Sequence, residues 1–437
     1  MKVAVIGTGH VGLITSVTMA YLGHDVIGND LDQEKIEMLQ RGQAPFFEPG
    51  LTELLEETLG SGKLRFSVDP KEAIRHAEVV FICVGTPPKA SGEANLIAVE
   101  STAKDVARFA EGEVVVVEKS TVPAGTSARV KRTLQRERPD FADRFSVVSN
   151  PEFLREGSGI RDSLEPDRIL VGAESPEAFA VMRQIYAPLV ARGANLIETN
   201  IETAELSKHA CNAFLALKIS YMNALARMCE RSGGDVNSVA EVMGSDDRIG
   251  RSFLNAGIGY GGYCFPKDLQ AFERLASRLG YDFSLLKEVE RINDEAVSAT
   301  AEKVIDVLWN LDGKKVTLLG LSFKPNTDDV RFSPALALGR KLQAEGAYVV
   351  GYDPQAMANA KSELPGLEVA PDPYTAAAGS HCLVLCTEWP EFESLSLDRL
   401  KQAMAYPLIV DGRNMFEAEE MGKHGFSYYP TGRSPIV

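Results

Sequence analysis

The stretch KVAVIGTGHVGLITSVTMAYLGHDVIGNDLD, residues 2–32, carries three signals in sequence order. Residues 2–6 are a short apolar run suited to a parallel strand buried on both faces. GTGHVG follows, with Gly7, Gly9 and Gly12 spaced GxGxxG and Val11 in the same loop, and an apolar helical stretch then runs to Leu22, where Gly23 ends it. A second strand from Asp25 ends at Asn29 and Asp30. The first glycine makes the turn, the second lets a pyrophosphate approach the backbone, and the third packs helix on strand. The helix N-terminus attracts the phosphates. Asp30 is placed to accept both ribose hydroxyls and to repel a 2′-phosphate, so the cofactor expected is NAD. Asp32 reads as the cap of the following helix, and Lys35, one turn on, reads as a group on the adenosine side. A lone GxGxxG is weak; between a strand and a helix, with an acid at the next strand end, it is strong.

Outward from this unit the alternation of strands and helices continues. Residues 79–85, ending at Thr86, 113–126, ending in Ser120 and Thr121, and 144–157, which contains Glu152, read as three further strands. Ligands of open α/β sheets bind outside the carboxyl ends of the strands, so Thr86, Thr121 and Glu152 are candidates for one crevice. Residues 201–234 form the longest helical stretch, without internal Gly or Pro and closed by Gly233 and Gly234. Lys208 and Asn212 share one face of it, four residues apart; on an otherwise apolar helix they either require polar partners or are a snorkelling lysine and a surface asparagine. The spare apolar surface of so long a helix suits a dimer interface. GIGYGGYCFPKD, residues 257–268, sets Cys264 among glycines with Lys267 and Asp268 close behind. Read alone, it is either a buried thiol beside a tight turn or a nucleophile for a carbonyl.

Composition sets the bounds. The chain has 437 residues, 45% apolar and 24% charged, which is ordinary for a globular protein and long enough for two or three domains. A net charge of −15 argues against nucleic acid and anionic membranes as partners. No apolar run approaches the roughly 20 residues of a membrane span, and the opening strand leaves no n-region for a signal peptide. Cys83, Cys211, Cys229, Cys264, Cys382 and Cys386 are scattered without a CxxC pair, which predicts reduced thiols in a cytoplasm and neither a disulfide framework nor a zinc site.

In order, GTGHVG, EPGL at 48–51, STVPAGT, NPEFLREG, ELSKHACNAFLALKISYMN, GYGGYCFPKD and FKPNTDDVRFSP at 323–334 make the chain resemble the UDP-glucose 6-dehydrogenase family, nearly end to end. The resemblance implies an α/β fold of two Rossmann-like parallel-sheet domains joined by a long central helix and a helical dimerisation region. The boundaries expected are 1–200 for an NAD-binding domain, 201–311 for a central domain carrying Lys208, Asn212 and Cys264, and 312–437 for a domain holding the UDP end of the substrate. The C-terminal third has its own support: residues 314–324 and 348–354 repeat strand, Gly, helix, strand and acid (Asp353), with Ser322 where Gly9 stood. Lys324 and Arg331 sit beside its first strand end, suited to a diphosphate.

By resemblance, the reaction is a four-electron oxidation of UDP-glucose to UDP-glucuronate with NAD. Cys264 would be the nucleophile, Lys208 with Asn212 the oxyanion stabiliser, and Thr121, Glu152 and Asp268 the holders of a water. The cofactor would touch Gly7, Gly9, Val11, Gly12, Asp30, Lys35, Thr86, Thr121 and Glu156. The substrate would lie against Glu152, Phe153, Leu154, Arg155, Glu156, Phe253, Leu254, Asn255, Ala256, Gly257 and Gly261, and Arg248 would reach a neighbouring subunit's site in a homodimer or larger homo-oligomer. The glycines before Cys264 would leave room for the sugar. Asp411 to Arg413 resemble a substrate-side motif. Tyr263 departs from the small residue frequent before the cysteine, and GDP-mannose or a UDP-N-acetylamino sugar are rival substrates. A two-electron hydroxyacid dehydrogenase would need neither the thiol nor a second nucleotide domain, and a non-catalytic NAD sensor would not need Thr121, Glu152, Lys208, Asn212, Cys264 and Asp268 together.

Overall fold

A computed structural model describes residues 1–87, 89 and 93–437. Backbone contacts divide the chain into two compact units, residues 1–211 with 270–280, and residues 212–269 with 281–437.

The first unit is built on an eight-stranded sheet. Its strands are β1 (Lys2–Ile6), β2 (Asp25–Asn29), β3 (Leu64–Ser67), β4 (Val79–Ile82), β5 (Val114–Glu118), β6 (Phe145–Ser149), β7 (Ile169–Gly172) and β8 (Leu196–Thr199), in spatial order 3-2-1-4-5-6-7-8. All neighbours are parallel except β6 and β7, which meet antiparallel at Ser149 and Gly172. The alternation of strand residues explains why both faces are covered. Val3, Val5, Val26, Val79, Phe81 and Val117 pack on one face, and Ala4, Ile6, Ile27, Val80, Ile82 and Val116 on the other. Helix α1 (His10–Tyr21) follows β1, and α2 (Thr126–Glu137) follows the loop after β5.

Two helices contain residues of both units: α3 (Ile201–Ser232), 32 residues long, and α4 (Cys264–Arg278). In the second unit Met222, Ala226 and Cys229 of α3 form a small core with Val236, Ala240, Leu254 and Ala256.

The second unit carries a six-stranded parallel sheet of β9 (Lys315–Leu319), β10 (Tyr348–Tyr352), β11 (Glu368–Val369), β12 (Cys382–Leu385), β13 (Leu408–Asp411) and β14 (Ser427–Pro430), ordered 11-10-9-12-13-14. The same alternation covers its two faces, with Val316, Leu318 and Val384 on one side and Leu319, Leu383 and Leu385 on the other. Helix α5 (Pro334–Ala344) follows β9 only after a loop of residues 320–333, much longer than the turn between β1 and α1. Here the repeat of the opening motif diverges. Asp353, the counterpart of Asp30, is fully buried and accepts hydrogen bonds from Leu321 N, Ser322 N, Ser322 Oγ and Trp389 Nε1. It holds its own loop and does not face a ribose.

Candidate functional site

The glycine-rich turn of the first unit meets the demands of a dinucleotide. Gly7 adopts φ +94°, and a Cβ there would lie 2.8 Å from Cys83 O. A Cβ on Gly12 would lie 1.8 Å from Gly7 O, so this glycine is needed for helix-on-strand packing. A Cβ on Gly9 would meet nothing within 4 Å, which leaves open space where a pyrophosphate approaches. Val11 is partly buried in the first turn of α1. Asp30 accepts hydrogen bonds from Thr8 N, Thr8 Oγ1 and Lys35 Nζ, each at 2.9 Å, so Lys35 is turned onto the acid. Burial pushes the Asp30 carboxyl up, but these bonds, with that from Asp32 N, outweigh it and hold the group below its ordinary value. Asp32 caps its helix by accepting from Lys35 N. The residues present therefore fit NAD, and an ionised Asp30 opposes a 2′-phosphate.

The loop after β5 is held from two sides. Thr86 Oγ1 donates to Thr121 O at 2.9 Å, which joins two expected site residues. From α3, Glu205 accepts from Gly125 N at 2.5 Å and Ser127 N at 2.8 Å, and His209 Nε2 lies 2.9 Å from Val122 O. Helix α2 has no side-chain cap of its own, so Glu205 satisfies its first donors from another element. Sequence reading missed Glu205. Its signal was an acid on an otherwise apolar helix, three residues before Lys208. Glu118, at the end of β5, was missed too; burial pushes its carboxyl well above the ordinary range, and Glu205 adds to the effect.

Lys208 and Glu152 form a buried pair. Lys208 Nζ donates to Glu152 Oε1 at 2.9 Å, and the side chains are 5% and 7% exposed. Glu152 Oε2 accepts from Leu154 N at 2.8 Å, which fixes the carboxylate at the root of the Phe153–Glu156 segment. Phe153 lies under Arg168, 4.0 Å from guanidinium carbon to ring centre, and 5.4 Å from Lys208 Nζ. Arg155 is tied to Asp162 by a two-pronged ion pair. Leu154 and Glu156 are partly buried.

In the second unit Cys264 is exposed and opens α4. The buried-thiol reading therefore fails, and a helix N-terminus favours negative charge at such a position. Asn212 Nδ2 donates to Asp268 Oδ2 at 2.6 Å, and Lys267 Nζ lies 2.8 Å from Asp268 Oδ1. Asp268, 1% exposed, is thus fixed between an amide and an ammonium group. Asn212 stands one helical turn beyond Lys208 on α3.

Several expectations change. The missing side chains of the glycines before Cys264 make room for protein: a Cβ would lie 2.6 Å from Gly412 O at Gly257, 2.9 Å from Asn293 Oδ1 at Gly259, 2.3 Å from Phe332 O at Gly261, and 2.7 Å from the Phe323 ring at Gly262. Leu254 and Ala256 turn into the core, while Asn255 is exposed and Phe253, in a turn at φ +64°, is partly buried. Asp411 is fully buried and accepts from Arg413 N, Met415 N, Phe416 N and Tyr428 Oη, which makes it a loop anchor. Arg413 Nε donates to Cys386 O. Arg331 is exposed, bonded to Asp329, and its guanidinium stacks 4.6 Å from the Tyr263 ring, which Lys267 approaches at 5.7 Å. Tyr263 therefore packs between two cations. Lys324 Nζ lies 5.4 Å from the Phe323 ring. Arg248 is exposed and paired with Asp246.

Comparison with known proteins accounts for all three stretches. Residues 1–190 match the NAD binding domain of the UDP-glucose/GDP-mannose dehydrogenase family, 202–295 its central domain and 317–418 its UDP binding domain. The chain is 46% identical to UDP-glucose 6-dehydrogenase of Rhizobium meliloti (strain 1021), over 99% of this chain and 100% of that protein. It is 42% identical to UDP-glucose 6-dehydrogenase TuaD of Bacillus subtilis (strain 168), over 100% and 94%. A solved UDP-glucose dehydrogenase from the hyperthermophilic archaeon Pyrobaculum islandicum superposes with a TM-score of 0.91 at 37% identity, covering 99% of this chain and 98% of the other. The glycine turn with Asp30, the Lys208–Glu152 and Asn212–Asp268 pairs and the exposed Cys264 thus sit in a sequence matched from end to end, and the chain belongs to the UDP-glucose/GDP-mannose dehydrogenase family.

Proposed function

We propose that this protein is an NAD-dependent dehydrogenase that oxidises UDP-glucose to UDP-glucuronate, in two oxidations at C6 followed by hydrolysis. The observation that carries the reading is the pair of hydrogen-bonded couples, Lys208–Glu152 and Asn212–Asp268, one turn apart on α3. Bound NAD supplies the hydride acceptor for each oxidation. Lys208 and Asn212 stabilise the negative charge that develops on the C6 oxygen. Thr121, Glu152 and Asp268 hold a water, and Glu152 takes its proton. Cys264 Sγ adds to the C6 carbonyl carbon of the aldehyde to form a thiohemiacetal, and oxidation of that adduct leaves a thioester. Water then adds to the thioester carbon, the C–S bond breaks, and the carboxylate leaves as the thiol is restored. A dehydrogenase that stopped at the aldehyde would have no use for the thiol.

We assign the dinucleotide to Gly7, Gly9, Val11, Gly12, Asp30, Lys35, Thr86, Thr121 and Glu156. The sugar end of the substrate falls to Phe153–Glu156, Phe253 and Asn255, with backbone at Leu254, Ala256, Gly257 and Gly261, and the diphosphate to Lys324 and Arg331. The working division remains 1–200, 201–311 and 312–437. A homodimer is supported by Phe214, Tyr221 and Met228, seven residues apart along α3 and 60%, 50% and 64% exposed. Burying that stripe against a second copy removes it from water, and Arg248 then serves a neighbour's site. A cytoplasmic setting agrees with the six cysteines, none of which is disulfide-bonded. Among the described residues no helix is long and apolar enough to cross a membrane. The test is an NADH assay with UDP-glucose, UDP-galactose, UDP-N-acetylglucosamine and GDP-mannose. The highest kcat/KM falls on UDP-glucose; preference for GDP-mannose or an N-acetylamino sugar would overturn the assignment.

A further inference from the structure

Glu48 belongs to neither the glycine turn nor the segment assigned to the sugar, yet it touches both sides. Its side chain is fully buried. Oε2 accepts from Gly157 N at 2.8 Å and Oε1 from Gly159 N at 2.7 Å. These two donors close the turn that ends the Phe153–Glu156 segment, and Gly157 adopts φ +78° there. On the other side, His10 Nε2 lies 3.2 Å from Glu48 Oε2 without hydrogen-bond alignment, and the His10 ring packs on Phe46 at 4.6 Å. His10 is the first residue of α1, inside GTGHVG. The contact is close-packed as well as polar, since a Cβ on Gly159 would lie 2.6 Å from Ile14 Cδ1 of α1 and 3.6 Å from Glu48 Oε1. A buried carboxylate is kept only where donors satisfy it; here both hydrogen-bond donors come from the turn that follows Phe153–Glu156, and His10 of the glycine turn is in contact from the other side.

We propose that Glu48 is a positioning residue that couples the dinucleotide turn to the sugar segment. A dinucleotide on the N-terminus of α1 acts on His10, His10 acts on Glu48, and Glu48 sets the Gly157–Gly159 turn from which Phe153–Glu156 hangs. This rests on the function proposed above. Coupling between two ligands is a shared free energy, so it must appear in both directions. Glu48→Gln is the direct perturbation. A glutamine offers one acceptor oxygen and sets an amide donor against the second glycine N–H. In this variant the KM for UDP-glucose rises about tenfold, kcat falls less than about threefold, and binary NADH binding, read by NADH fluorescence, stays within about twofold. Under this coupling, saturating UDP-glucose tightens NADH in the wild type and Glu48→Gln loses that tightening; a wild type without it overturns the proposal. His10→Asn keeps both glycine bonds, and it loses that tightening while its UDP-glucose KM stays within about threefold. Unchanged tightening in both variants overturns the proposal, as does equal weakening of binary NADH binding and of UDP-glucose. If Glu48→Gln does not fold, His10→Asn alone decides, through the tightening. A wild type that turns over another sugar nucleotide instead overturns the substrate assignment only, and the same comparison is then made with that substrate.

Discussion

Replacing Lys208 by methionine strands Glu152 in the interior of the first unit. At 2.9 Å, with an effective dielectric constant of about 20, the gross attraction of this pair is about 6 kcal/mol. Desolvation of the two groups, both nearly inaccessible, offsets much of it. Removing one partner of such a pair costs about 3–5 kcal/mol, because the remaining charge is left buried. Lys208→Met with Glu152→Gln removes both charges and keeps an acceptor for Leu154 N, so most of the loss returns, to within about 1 kcal/mol of wild type. Both variants lose catalysis, by a factor of about 100 or more in kcat, if Lys208 supplies the charge at the reacting oxygen as proposed. The assay is urea denaturation followed by far-UV circular dichroism. Trp309 and Trp389 both belong to the second unit, so their emission reports that unit in the same titration. A single variant within about 1 kcal/mol of wild type, or a double variant as unstable as the single, would refute the view that a buried ion pair is retained here for chemistry at a cost in stability.

Two glycines separate space for a ligand from space for protein. Gly9→Ala leaves unfolding within about 0.5 kcal/mol and raises the KM for NAD by about tenfold or more, since the added Cβ meets open space; calorimetry and initial rates check both. Gly261→Ala drives a Cβ to 2.3 Å from Phe332 O and destabilises by about 1–3 kcal/mol, seen in the tryptophan unfolding transition. Glu118 has a raised pKa, so it binds its proton more tightly folded than unfolded. Its contribution is full below the unfolded value of about 4.3 and is lost as pH rises toward the folded value. Glu118→Gln therefore gains stability over wild type as pH climbs above about 4.3 and matches it below that value; a difference independent of pH in thermal melts would count against a raised pKa for this buried acid.

What could be read from the sequence was local. GTGHVG with Asp30 is a contiguous signal whose parts lie within one βαβ unit, and Gly7 makes the turn and Gly12 the helix-on-strand packing that their positions implied. Helical spacing put Lys208 and Asn212 on one face, but spacing alone suited a snorkelling lysine and a surface asparagine equally well, and the family resemblance gave them a role. The partners themselves, Glu152 and Asp268, lie 56 residues away in each case; motif order named them as site residues, and only the fold pairs them with Lys208 and Asn212. Contacts between distant segments stayed hidden. Glu48 meets glycines 109 and 111 residues on, and Glu205 meets donors 78 and 80 residues back. The protein neighbours of the glycines near Cys264 stayed hidden for the same reason: Gly412, Phe332 and Phe323 pack against them, and nothing in a twelve-residue stretch signals a neighbour so far along the chain. The repeat at 314–354 was visible, but not that Asp353 would turn inward, because Trp389 and the backbone of Leu321 and Ser322 come to it through the fold.

The claim that matters most is that Cys264 carries the substrate through a second oxidation. Counting NADH formed per UDP-glucose consumed, with limiting sugar nucleotide and excess NAD, tests it most directly. The wild type gives two NADH per UDP-glucose, and Cys264→Ser, which alters an exposed side chain and leaves the core untouched, fails to complete the second oxidation. One NADH per UDP-glucose from the wild type, or an undiminished yield of two at wild-type rate from the serine variant, would contradict it.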